Sequence, residues 1–153
     1  MPTPDSKARI RDAERFAREV LPSVSRTFSL SVRVLPGDLG RSVLCAYLLC
    51  RIADTLEDDG GAEPTRKADL LAEFLRCLDD AAAADGFPAR AADIRGDDAH
   101  VRLLRRTDLV CVLFRSLPPR SRDRVAHWVR EMGHGMAAFI LRHPRGLRIQ
   151  TME

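Results

Sequence analysis

The chain has 153 residues, which is one domain's length and enough to enclose a core. Hydrophobic residues make up 45% and aromatics only 5%, a balance that favours helices packed through Leu, Ala and Val over a β-sandwich. Net charge is only +3 and no basic stripe with interleaved aromatics appears, which argues against nucleic-acid binding.

In chain order, the spacing predicts an amphipathic helix over 5–21, with Ile10, Phe16, Ala17 and Val20 on one side, Asp5 or Ser6 as its cap and Pro22 as its end. The segment Ser25 to Leu35 alternates apolar and polar residues, which locally reads as a strand. No other segment offers that strand a partner, so pattern and context conflict there. After Pro36-Gly37, a helix is predicted over 38–59, stopped by Gly60-Gly61. Leu70, Leu71, Phe74, Leu75 and Leu78 define a further helix over 65–85, ended at Gly86-Phe87-Pro88 and followed by a loop to Gly96. Helices over 97–117 and 121–141 complete an all-α bundle with short connections.

The end of the third segment carries the chemistry. Asp54, Glu57, Asp58 and Asp59 crowd the final turns of an apolar helix, where the macrodipole is already negative. Each carboxylate there costs about 0.3–1 kcal/mol before mutual repulsion is counted. A divalent cation reverses the sign, because a bound metal becomes the largest local charge. At helical spacing Tyr47, Arg51, Asp54, Glu57 and Asp58 share one face while Asp59 points elsewhere. Mg²⁺ keeps waters and is usually completed by substrate phosphate oxygens, for which Arg51 is the adjacent partner. The competing reading is a solvated helix end, which the apolar circumference of the preceding turns argues against.

Other constellations are weak. Asp93 and Asp97 repeat the four-residue spacing but flank a glycine in a loop. His100, His127, His134 and His143 show no metal-type pairing and read as surface or packing residues. Cys45, Cys50, Cys77 and Cys111 lie in apolar stretches without C-x₂-C spacing and read as small hydrophobes. The expected setting is reducing and cytoplasmic, with peripheral membrane contact left open, since no apolar run is long enough to span a bilayer.

Ser25-Arg26-Thr27-Phe28, Tyr47-Leu-Leu-Cys-Arg51-Ile-Ala-Asp54-Thr-Leu-Glu57-Asp58-Asp59 and Glu131-Met-Gly-His-Gly135-Met-Ala-Ala-Phe139 resemble motifs of the squalene/phytoene synthase family, in its squalene synthase branch. The resemblance implies an isoprenoid-synthase-type helical fold with two aspartate-rich motifs facing one cavity. It assigns Asp54, Glu57 and Asp58 to Mg²⁺, Ser25, Arg26 and Arg51 to diphosphate oxygens, and Phe28 and Tyr47 to the neighbourhood of the prenyl chain. Tyr47 and Arg51 are its implied catalytic residues. The implied reaction joins two farnesyl diphosphates head to head through a carbocation and a cyclopropyl intermediate, and NADPH supplies the reduction in squalene synthase. The resemblance also makes 25–35 a helix, against the local alternation.

The second aspartate-rich motif has no candidate before Thr151-Met152-Glu153, and an apolar pattern resumes over 147–152. The expectation is therefore the N-terminal half of a longer domain, inactive by itself. Condensation of other prenyl diphosphates and a non-catalytic helical interaction fragment remain as alternatives.

Overall fold

A computed structural model describes residues 3–144, and the apolar pattern expected over 147–152 lies outside them. The described residues form eight helices and no strand: α1 (Pro4–Val24), α2 (Arg26–Arg33), α3 (Gly37–Asp58), α4 (Pro64–Arg76), α5 (Ala81–Arg90), α6 (Asp98–Leu104), α7 (Thr107–Arg115) and α8 (Pro119–Arg142). The all-α expectation holds. Among the described residues no helix is long and apolar enough to cross a membrane.

α3 is the central element. It packs against α1, α2, α4, α6, α7 and α8, which is why its sequence is apolar around the whole circumference. Leu44, Cys45, Leu48, Leu49, Ile52, Ala53 and Leu56 are fully shielded from solvent. Each such Leu or Ile contributes about 1.5–3 kcal/mol by leaving water. The helix end bearing the acids is thus held by one of the most heavily packed segments of the molecule. Burial pushes the Cys111 thiol up to about 12 and the Cys77 thiol to about 11, so both stay protonated and behave as hydrophobes.

Several boundaries differ from expectation. α1 begins earlier, capped by the Thr3 hydroxyl, which accepts from the Ser6 amide at 3.2 Å, rather than by Asp5 or Ser6. It also runs through Pro22 to Val24. A proline in the last turn forfeits only one backbone bond, and the Ser25 amide still donates to the Leu21 carbonyl at 2.8 Å. Residues 26–33 are helix, as the resemblance implied and the alternation did not. Phe28 and Val32, one turn apart, face inward, whereas Leu30 and Val34 are exposed, so the alternation marks two faces of a helix.

The single helix expected over 65–85 is two. Asp80 accepts from the amides of Ala82 and Ala83 at 2.9 and 3.1 Å, and this cap starts α5. Because α5 begins so late, Gly86, Phe87 and Pro88 lie inside it, and Phe87 is buried beside Phe74. The helix expected over 97–117 also breaks, between α6 and α7. There the buried Thr107 hydroxyl donates to the Leu104 carbonyl at 2.7 Å, diverting the backbone.

Candidate functional site: the acidic end of α3

α2 is set against α3 by its cap and by one aromatic stack. Ser25 ends α1 and caps α2, its hydroxyl accepting from the Phe28 amide at 3.2 Å. That turn places the Phe28 ring on Tyr47, centroids 4.2 Å apart and planes 18° from parallel. One turn further along α3, the Arg51 guanidinium donates to the Tyr47 hydroxyl at 3.1 Å and lies 3.5 Å from an Asp54 carboxylate oxygen. Phe28, Tyr47, Arg51 and Asp54 therefore form one continuous surface. Arg26 lies exposed in the first turn of α2, and no hydrogen bond or ion pair fixes its side chain among the described residues.

Arg51 is incompletely satisfied. Its Nε is buried and has no hydrogen-bond partner among the described residues. A buried guanidinium nitrogen left without an acceptor costs about 1–3 kcal/mol, so the fold keeps here a donor that suits an oxygen-rich anion.

The carboxylates are strained electrostatically. Burial raises the Asp54 pKa above the ordinary aspartate range; Asp58 adds to the rise, and Arg51 and His100 oppose it. The Glu57 carboxyl is likewise raised, first by burial and then by Asp58 and Asp54, with Lys67 opposing. Lys67 relieves the helix as well as the acid: its ammonium donates to the Glu57 backbone carbonyl at 2.6 Å, capping α3. Asp54, Glu57 and Asp58 thus repel one another, and Arg51, His100 and Lys67 offset only part of that repulsion, since the Asp54 and Glu57 carboxyls stay raised. Among the described residues no three acids, histidines or cysteines already converge as a metal cage. An open set of hard oxygen donors suits a cation that keeps waters and takes further ligands from a phosphate.

Asp59 behaves differently, as its angular position implied. It is buried, and its two oxygens accept from the Gly61 amide at 2.8 Å and the Arg95 amide at 3.1 Å. It ties the α3–α4 connection to the segment before α6. Asp93 pairs with Arg66 at 3.0 Å and Asp97 caps α6, so the second acidic spacing is spent on structure.

A groove of about 460 Å³ opens beside Glu57 and Asp58, walled by Lys67, Phe139 and His143. The α8 stretch after Gly135 therefore reaches the acidic corner. Gly133, just before that stretch, lets α8 approach α4: a Cβ there would meet Leu75 at 3.0 Å. Sequence reasoning missed Lys67, His100 and His143 as neighbours of the acids. Of these only Lys67 carried a signal, as one of two lysines among 25 basic residues.

Residues 21–153 match the family described as Squalene/phytoene synthase. The chain belongs to the squalene/phytoene synthase family. It is 34% identical over 135 residues to Squalene synthase BSS of Botryococcus braunii, covering 88% of this chain and 28% of that protein. It is 32% identical over 123 residues to Squalene synthase ERG9 of Saccharomyces cerevisiae, covering 80% of this chain and 26% of that one. A solved structure described as TcSQS with the ligand BPH1237 superimposes with a TM-score of 0.72 at 25% identity, covering 84% of this chain and 36% of that chain. The fold is thus the isoprenoid-synthase helical fold, and the chain spans about a quarter to a third of the length of these proteins.

Proposed function

We propose that the acidic end of α3 is the first diphosphate-activating site of a head-to-head prenyl transferase that joins two farnesyl diphosphates. The observation that carries this reading is the pairing of an acid cluster whose charge is only partly offset with a buried, unpartnered donor on Arg51. Asp54, Glu57 and Asp58 would hold Mg²⁺, with Asp54 and Asp58 one helical turn apart. The bound ion would neutralise charge developing on the departing diphosphate.

Each protein group has a separate task. Arg51 offers Nε to a diphosphate oxygen, and its contact with the Tyr47 hydroxyl fixes the plane of the guanidinium. Ser25 shapes the turn at the start of α2, and Arg26 stands exposed beside it for an anion to recruit. The Phe28–Tyr47 stack presents an aromatic wall, whose π faces suit a prenyl carbocation and exclude water from it. A complete enzyme that yields squalene would further need NADPH as hydride donor. The squalene synthase names of the relatives support farnesyl diphosphate as the substrate.

Calorimetry of the chain with farnesyl thiodiphosphate, with and without Mg²⁺, tests this. The expected result is a magnesium-dependent binding event that Asp54→Asn removes. Heats that do not respond to magnesium would refute the assignment.

A further inference from the structure

We propose a second anion site, separate from the acidic corner, in the groove between α1, the 94–97 segment and α6, with a phosphate-bearing polyanion as its ligand. The groove encloses about 660 Å³ and gathers four arginines, Arg95, Arg102, Arg105 and Arg106, against one acid, Asp98. Arg106 is held by Asp108 through two contacts of 3.1 Å. Arg95, Arg102 and Arg105 have no ion pair among the described residues, so net positive charge faces the groove.

The groove has a floor as well as charge. The Phe16 ring lies beneath two guanidiniums, with Arg102 at 5.8 Å and Arg106 at 6.0 Å from its centroid. Stacking on a ring restricts a guanidinium and leaves its N–H edge free for a ligand. A cation near the carboxyl end of α6 is favourable in itself, and that accounts for Arg102 and Arg105. It does not account for Arg95, which comes from a different segment whose backbone is fixed by Asp59. Three exposed guanidiniums from two elements line one groove and leave it an excess of positive charge that an anion would neutralise. A polyanion answers this better than a single phosphate, because it meets several planar donors at once. The cavity falls within the roughly 300–1,000 Å³ typical of small-molecule sites. Arg102, Arg105 and Arg106 lie close together in sequence, whereas Arg95 and the Phe16 ring join them only through the fold.

The two sites separate by their metal requirement. Inorganic pyrophosphate titrated by calorimetry in the presence of EDTA removes the metal-dependent event, and the groove variants assign the binding that remains. In parallel, phosphatidylcholine vesicles with and without phosphatidic acid ask whether a lipid headgroup is the source of the phosphate. Arg102 and Arg105 are exposed, so R102A/R105A is expected to fold, which circular dichroism checks; R95A is the second variant. Metal-independent binding of pyrophosphate should weaken about tenfold or more in the double variant, the loss expected for two charge-assisted contacts. The magnesium-dependent event with farnesyl thiodiphosphate should survive in it. Binding to phosphatidic acid vesicles alone would support the site with a headgroup as its ligand. Failure of both probes, or equal binding by wild type and both variants, would overturn the proposal.

Discussion

Asp59 and the three carboxylates just ahead of it occupy the same helix end in opposite circumstances. Asp59 is buried, and each of its oxygens receives a backbone amide, so its charge is used up in joining two loops. Asp54, Glu57 and Asp58 face one another across a half-open surface, and burial and repulsion raise the first two. Glu73 on α4 is a third case: two hydrogen bonds from Arg90 hold its carboxyl below the ordinary range. Acids that serve the fold have partners within the fold. Acids whose charge the fold offsets only in part, as here by Arg51, His100 and Lys67, point to a partner that arrives from outside.

The sharpest way to break this contrast is Asp59→Ala, which strands two partly buried amides. Lost charge-assisted bonds and unmet donors together should cost about 2–4 kcal/mol. At about 2–4 °C per kcal/mol for a chain of this size, Tm should fall by roughly 4–16 °C in a melt. A change under a degree would mean that Asp59 belongs with its neighbours after all.

Asp58→Asn should do the reverse. Removing one of three donors is expected to weaken magnesium-dependent binding of farnesyl thiodiphosphate about tenfold or more while Tm without ligand holds or rises. Calorimetry and melting on the same preparation give both readouts.

Glu57→Gln sharpens the comparison further. The folded pKa of Glu57 is raised above the usual 4.5, so its charged form opposes folding. Its contribution is favourable in acid and is lost as pH rises through the folded value. The Gln variant should therefore melt about 1–2 °C higher at neutral pH, from a relief of about 0.5 kcal/mol, with the gain vanishing below about pH 4.

Glu73→Gln carries the opposite sign and the smallest size. Its folded pKa is depressed, so the stability it adds is present above the unfolded value and lost as pH falls. The Gln variant should lose no more than about 0.5 kcal/mol at neutral pH, and less in high salt, because the pair is surface-exposed.

Much of the acidic corner was legible because α3 is apolar all round and its acids fall at fixed angular steps. Tyr47, Arg51 and Asp54 come together along α3 as spacing predicts, and Asp59 points away as spacing predicts. What spacing cannot show is contact between distant segments. Nothing in the local sequence brings His100 of α6 to Asp54, Phe139 and His143 of α8 to Glu57, or Phe16 of α1 beneath Arg102. The two unexpected helix breaks share one cause. Asp80 and Thr107 break helices through side-chain bonds to nearby backbone, which hydrophobic periodicity ignores. The 25–35 segment misled for a related reason: a short helix with one inward and one exposed apolar face mimics alternation.

A bound cation reverses the sign of the acids' contribution to stability, and a single pair of melting series reads that reversal directly. Wild type and Asp54→Asn/Glu57→Gln are compared without ligand and then with Mg²⁺ and farnesyl thiodiphosphate. Without ligand the double variant should melt at the same temperature or higher, and with both ligands wild type should overtake it. A wild-type protein that is the more stable without ligand, or that gains nothing from adding magnesium to the diphosphate, would contradict the claim that these acids are kept for a cation.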